Sequence, residues 1–444
     1  MKRATRRRLR QLLWLYFWLL IFEGALRKWV LPGLTNPLLL VRDPIALLAV
    51  WWGWPLLQQR RWQIWLQPLL LIGILGGLLA VTVGHGDLFT ALYGTRVFLL
   101  QLPLIFVFAT VFDRRDVLRF AWLLVWLSIP MTVLLATQSS LPNSHILNVG
   151  PGGFGTAAFE GALGRSRPPG TFTFITGVVS FYSLAAASLF MVLYGSKVRQ
   201  RGRLFCMAAG IALVVALPVS ISRSLLAGYV MVITAVVATV VIGRLKLLPL
   251  VSGLAAVVIA FGLATTVPAF QDTSAAFLSR WEGAGAASGA VREEVGDLGI
   301  ATDQLRDRVL PGFTRPFASL ERMPLLGSGV GMGSNVGAQR LGASGGFLLG
   351  EGGWEVILGE LGPLLGVLFI VWRVALAFWM LKLALRAASR GNRLPLILLG
   401  ASFLDVMSGQ LSQPTGIGFT VLSGGLTLAA CNSEPQAELA RAAS

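Results

Sequence analysis

Apolar runs of membrane-spanning length recur along this chain from Leu12 to Cys431, and the polar residues gather between them. A hydrocarbon core roughly 30 Å thick requires about 20 apolar residues per helix. On that basis the pattern predicts about twelve spans. They fall at Leu12–Val30, Pro37–Leu57, Ile64–Val83, Leu88–Phe112, Val117–Thr137, Phe172–Tyr194, Leu204–Ile221, Leu225–Ile242, Leu247–Val267, Trp354–Leu383, Leu394–Met407 and Thr415–Cys431. The eleventh is short for a full crossing. The expected fold is all-α: a polytopic membrane helix bundle forming one membrane domain over residues 1–444, with no internal repeat.

Charge then orients the bundle. The chain carries 37 Lys and Arg against 20 Asp and Glu, a formal net charge of +17. The excess sits in short connections: Lys2 to Arg10, Arg60-Arg61, Arg114-Arg115, Lys197 to Arg203, Arg244 with Lys246, and Lys382 to Arg393. Such a basic balance usually raises nucleic acid as a partner, but clusters confined to alternate connections follow the positive-inside rule. No nucleic-acid partner is expected; the bilayer is. Both termini are expected on the cytoplasmic side, and Met1 to Leu20, which lacks a small-residue cleavage site, is expected to remain as the first helix. Two longer loops then face outward, residues 138–170 and residues 269–346, the latter between the ninth and tenth spans. Within the large loop, Val291–Val309 and Phe313–Met323 have the spacing of short helices. A loop of that length is a natural place for a site.

The large outward loop holds arginines and no lysine: Arg280, Arg292, Arg306, Arg308, Arg315, Arg322 and Arg340. The planar guanidinium fork suits phosphate or carboxylate. The other reading is that Asp303, Asp307 and Glu321 pair with them. Arg223, in Ser220-Ile221-Ser222-Arg223-Ser224, lies between two very apolar spans with no acid close by in sequence, where a charge is costly unless it meets a partner. It is either an anion-binding residue or a snorkelling span end. Arg165 and Arg167 stand before a Pro168-Pro169-Gly170 turn, as ligand groups or as interfacial anchors. Glu351, Glu355 and Glu360 open the next span; Glu351 and Glu355 lie one helical turn apart, and a desolvated carboxylate here is a candidate for a general base, or for pairing with the loop arginines. Glu23 with Arg27, and Arg42 with Asp43, read as internal ion pairs. Cys206 and Cys431 both fall in apolar runs, so no structural disulfide is expected. With only His85 and His145, no histidine metal site is expected either, and no nucleotide-binding loop or serine elbow is present.

Several of these stretches, in this order, resemble the O-antigen ligase and O-antigen polymerase superfamily of bacterial membrane glycosyltransferases. Arg167-Pro168-Pro169-Gly170-Thr171-Phe172 resembles that superfamily's arginine-glycine-phenylalanine opening of a span. Ser222-Arg223-Ser224 is similar to its Ser-Arg motif at the outer end of a helix. Pro324-Leu325-Leu326-Gly327-Ser328-Gly329-Val330-Gly331 resembles a stretch late in its large outer loop. Glu360-Leu361-Gly362-Pro363-Leu364-Leu365-Gly366 resembles its Glu-x-Gly-x-x-Gly opening of the next span. The matched region covers Arg165 to Gly366, roughly half of the chain.

The resemblance implies a polyprenyl-diphosphate-linked oligosaccharide donor, a glycan acceptor, no cofactor or metal, and a bacterial inner-membrane location. Arg223 would stabilise the leaving diphosphate, with Arg165, Arg167, Arg315, Arg322 and Arg340 as further substrate-binding residues. Ligases of this superfamily carry a histidine shortly before the span that follows the loop, as the proposed base. This chain has none between Ala269 and Gly366 and offers Glu351 and Glu355 there. That implies a polymerase of polysaccharide repeat units, or a divergent ligase using a carboxylate. A secondary transporter of a small solute or ion, and a scaffold, are the competing classes from outside the superfamily.

Overall fold

The structure is a computed structural model and describes residues 3–153, 167–196, 200–243, 313–318, 320, 323–342 and 352–432. Among these residues the chain is helical without a strand. In chain order the helices are α1 (Arg3–Ala25), α2 (Thr35–Leu38), α3 (Asp43–Leu57), α4 (Arg60–Thr82), α5 (Leu88–Arg96), α6 (Leu104–Val111), α7 (Arg114–Ser140), α8 (Ile175–Gly195), α9 (Gln200–Val219) and α10 (Arg223–Ile242). They are followed by α11 (Asn335–Arg340), α12 (Gly353–Ser389), α13 (Leu394–Ser408) and α14 (Pro414–Cys431). Among the described residues ten helical segments are long and apolar enough to cross a membrane, and α13 is a shorter apolar helix. At 15 residues it is only about 22 Å long. The expected spans at Leu247–Val267 and the helix at Val291–Val309 lie outside the described residues, whereas 313–318 is helical as expected.

The helices run up and down between two ends. At the first end, Arg6 donates to the Val111 carbonyl at 3.1–3.2 Å, and Arg10 pairs with Asp116 at 2.8 Å and Asp113 at 3.3 Å. Asp113 also closes a capping box with Asp116 that starts α7. Asn432 reaches the Ala109 carbonyl, and Asn392 the Ala430 carbonyl. This end gathers the connections that the charge pattern places inside. The opposite end gathers the rest: Arg27 meets Thr173, His85 meets Val330, and Thr176 meets Gln413.

α14 occupies the centre and packs on α13, α6 and α8. Its Gly418 lies flat against the Arg42 guanidinium and Leu20, and Gly425 against Phe108. Between lipid-embedded helices close backbone approach of this kind replaces the hydrophobic drive available in water.

Two expected spans differ in detail. The first ends in a π-helical turn, Leu26–Val30, that buries Arg27 and Lys28. The fourth is α5 and α6 joined through a second π-helical turn, Val97–Gln101. The wider turn points Gln101 into the bundle, where it accepts from Tyr16 Oη at 2.6 Å and donates to Asp43. Neither turn leaves a trace in the hydropathy pattern.

α12 is broken. Gly362 has φ 72° and ψ 174°, Pro363 follows it, and the helix resumes beyond. The break is filled by the segment 323–334. Ser328 N–H donates to the Gly359 carbonyl at 2.9 Å and Gly329 N–H to the Glu360 carbonyl at 3.0 Å. Carbonyls orphaned by the proline are thereby satisfied without water. Gly327, at φ 73°, lies in backbone contact with Gly362, so that a Cβ on either residue has no room.

Candidate functional site

Two constellations and a cleft stand out toward the end of the bundle opposite the N-terminus. The first constellation is a chain of buried charges. Glu23 on α1 accepts from Arg42 Nε at 2.8 Å and from Arg27 Nη1 at 3.4 Å. Arg42 also donates to the Pro414 carbonyl at 2.6 Å and to Tyr16 Oη at 3.5 Å. Asp43 accepts from Arg96 Nη1 on both carboxylate oxygens at 2.8 Å, and from the Gln101 amide. Arg96 in turn lies over the Tyr93 ring at 3.9 Å. The expected Glu23–Arg27 pair is present. Arg42 and Asp43, expected to pair with each other, instead take Glu23 and Arg96. Adjacent residues at a helix start diverge, so neighbours in sequence reach different partners. Lys28, fully buried beside this chain, donates to the Gly170 carbonyl at 2.6 Å and lies 4.5 Å from the Trp29 ring centroid.

The second constellation joins Arg167 and Arg223. Arg223 is the first residue of α10, where the helix dipole is already positive. The turn before it carries backbone strain. Ile221 is fully buried at φ 49°, a left-handed conformation rarely adopted by a β-branched residue. Arg167 lies in the loop before α8. Burial, and then the positive charge of Arg223, hold its guanidinium below the usual arginine value. Its Nε is buried without a hydrogen-bond partner among the described residues. Two guanidiniums and a helix N-terminus are thus brought close enough to influence one another across 55 intervening positions.

The other expected site residues are placed differently. Arg340 ends α11 and makes a bidentate ion pair with Asp87 at 2.9 Å, over the Phe89 ring at 4.9 Å. Hydrogen bonds from Arg340, then from Thr90, hold the Asp87 carboxyl well below the usual carboxylate range. Arg340 therefore follows the paired reading, with an acid from the α4–α5 turn. Arg315 is exposed on the short helix at 313–318. Glu355 accepts from Gly352 N–H at 2.9 Å and closes the first turn of α12. Arg165, Arg322 and Glu351 lie outside the described residues. His85 is held from both sides: Nδ1 accepts from Asp87 N–H at 3.0 Å, which leaves Nε2–H to donate to the Val330 carbonyl at 3.2 Å. His145 Nδ1 accepts from Leu147 N–H. Both cysteines are free.

The carboxylate that reaches an open space is Glu360. It lines a cleft of about 440 Å³, mouth included, between α5, the segment 331–334, the first turns of α12 and the loop 409–413. Tyr93, Phe98, Ile357, Phe369 and Leu411 give the cleft mainly apolar walls; Ser334, whose hydroxyl caps α11, and Ser412 also line it. The interior is narrow, with room for roughly two water molecules. Glu360 Oε1 accepts from Gly333 N–H at 2.7 Å. The signal for this residue was available in the sequence: a glutamate two residues before a Gly-Pro helix break. Helical spacing alone favoured Glu351 and Glu355 instead.

No known protein family, curated protein or solved structure matches the chain.

Proposed function

We propose that the protein is a membrane glycosyltransferase that uses a polyprenyl-diphosphate-linked oligosaccharide at the outer face of a bacterial cytoplasmic membrane. Its reaction on this reading is polymerisation of polysaccharide repeat units, or a ligase-like transfer to another glycan. The observation that carries it is the corner formed by Arg167, Arg223 and the α10 N-terminus. Like charges held together and set against a helix dipole favour an anion with several oxygens, and a diphosphate fits that chemistry.

In the reaction, an acceptor hydroxyl oxygen forms a bond to the anomeric carbon. The bond from that carbon to the diphosphate oxygen breaks, and the electron pair leaves with the diphosphate. The acceptor proton passes to a base. Arg223 and Arg167 stabilise the charge that develops on the leaving group, and such preorganised donors commonly carry the largest share of rate enhancement. The energy of transfer comes from the donor linkage, so the scheme uses no nucleotide. Both termini are cytoplasmic on this reading, which sets the corner on the side where lipid-linked glycans are displayed.

The broken helix α12 favours a second reading, a secondary transporter, because discontinuous helices commonly form solute sites. Against it, the Gly359 and Glu360 carbonyls freed at the break are already taken by Ser328 and Gly329.

Purified protein in liposomes, given a polyprenyl-diphosphate oligosaccharide and analysed by mass spectrometry, tests the proposal. A ladder of longer lipid-linked glycans, or transfer to a supplied acceptor, is the expected result. Absence of any new product with the host cell's own donor and candidate acceptors sinks both transferase readings and leaves transport in the lead.

A further inference from the structure

We propose that Glu360 is the base that receives the acceptor proton, and that the cleft between α5 and the first turns of α12 admits the acceptor hydroxyl. This rests on the glycosyltransferase reading and assigns the one role that reading leaves open.

Three observations place the proton acceptor here. Glu360 is the acid that the described residues bring to a cleft with apolar walls, while Glu355 is occupied at a helix start and Asp87 is locked to Arg340. A water-sized interior beside the Glu360 carboxylate suits a single hydroxyl of a saccharide entering edge-on. The carboxylate is also fixed in place. Its backbone is clamped by Gly329 N–H at the helix break, and its Oε1 by Gly333 N–H. A base held from both ends meets the requirement of positioning before that of basicity.

The loop that lines the cleft also bonds α8, the helix that follows the Arg167 loop. Leu411 and Ser412 line the cleft, while the next residue, Gln413, bonds Thr176 on α8 at 3.0 Å. α8 follows directly on the Arg167 loop and packs against α10, which Arg223 begins. An in-line displacement needs the donor diphosphate on one side and the acceptor hydroxyl on the other.

The step balances. The acceptor O–H bond breaks as its oxygen bonds the anomeric carbon, the proton ends on Glu360, and the diphosphate leaves with its electron pair. Glu360 then loses the proton to water before the next turnover.

The test compares wild type with Glu360→Gln in liposomes, using a polyprenyl-diphosphate oligosaccharide donor and a saccharide acceptor. The amide carbonyl of glutamine still accepts from Gly333 N–H, so a purely structural role survives the change. The expected result is a fall in kcat of about 10²–10⁴-fold, the usual contribution of a general base, with donor KM and thermal stability unchanged. Wild-type kcat is expected to fall in acid, and the residual rate of the variant to lose that dependence. A variant with near-wild-type turnover overturns the proposal and leaves Glu360 as the anchor of the glycine segment. Should Glu360→Gln not fold, the wild-type profile decides: a kcat that stays flat into acid overturns the assignment. A wild type that neither binds nor turns over the donor overturns the parent reading first, and is recognised before any variant is compared.

Discussion

Two groups of cations lie toward the same end of this bundle, and they are treated in opposite ways. Arg27, Arg42 and Arg96 share Glu23 and Asp43, and what the acids do not cover is met by the Thr35, Pro414 and Tyr93 carbonyls. Arg167 instead faces Arg223, another cation, at a helix N-terminus beside a strained turn. The first group shares two acids and several backbone carbonyls among three arginines and ties α1, α3 and α5 together. The second sets two cations within electrostatic reach of each other at the start of α10. Internal cancellation marks a structural element, whereas concentrated charge costs stability and calls for a ligand. The arginine count of the sequence is silent on this difference, which lies wholly in who meets whom.

The largest effect separating the two groups is expected from Glu23→Ala. It leaves Arg27 and Arg42 buried without their acid and should lower stability by about 3–5 kcal/mol. Thermal unfolding in detergent reads this, and wild-type stability in the variant would remove the structural role assigned to the network.

Arg223→Ala should do the reverse. Turnover of the lipid-linked donor is expected to fall about 10²–10³-fold, with no loss of thermal stability. Arg223→Lys keeps a charge but not the fork, and should fall between the two. Retained activity in Arg223→Ala would take away the central residue of the proposed function.

Gly362→Ala should cost about 1–3 kcal/mol through its positive φ, with further loss from contact with Leu325 and Gly327. Faster proteolysis within 323–334 would report the same release of the glycine segment from the helix break.

Lys28→Met sharpens the comparison from inside the structural group. A buried cation that has only a carbonyl and a ring for company gains little by being charged, so the variant should match or exceed wild-type stability. If activity falls while stability holds, Lys28 belongs with the ligand-binding cations.

The smallest effect is expected from Asp87→Asn, at the exposed ion pair with Arg340. The carboxyl is depressed in the folded protein, so its stabilisation is full above the unfolded value of about 3.9 and is lost as pH falls through the lower folded value. The melting difference between wild type and variant should therefore stay constant from about pH 5 to pH 8 and shrink only in stronger acid.

The helices were legible because a lipid-spanning segment must satisfy its own backbone, and apolar length alone then marks it. The observed α4, α7, α8 and α10 fall within a few residues of the expected spans. The π-helical turns at Leu26–Val30 and Val97–Gln101 were not legible, since they alter no composition. Ion-pair partners were legible only at one helical turn, as for Glu23 and Arg27. Asp43 meets Arg96, and Asp87 meets Arg340, through chain reversals that no local spacing encodes. Of the candidate site, the sequence marked Arg167 and Arg223 singly, and set Glu360 beside Glu351 and Glu355 without singling it out.

By itself, then, the sequence determined an all-helical bundle built from membrane-length apolar segments, because backbone satisfaction in lipid is a local demand read residue by residue. Tertiary structure alone decided which charges cancel and which accumulate, and which carboxylate faces a cleft. Electrostatic interaction falls with distance through space and takes no account of distance along the chain.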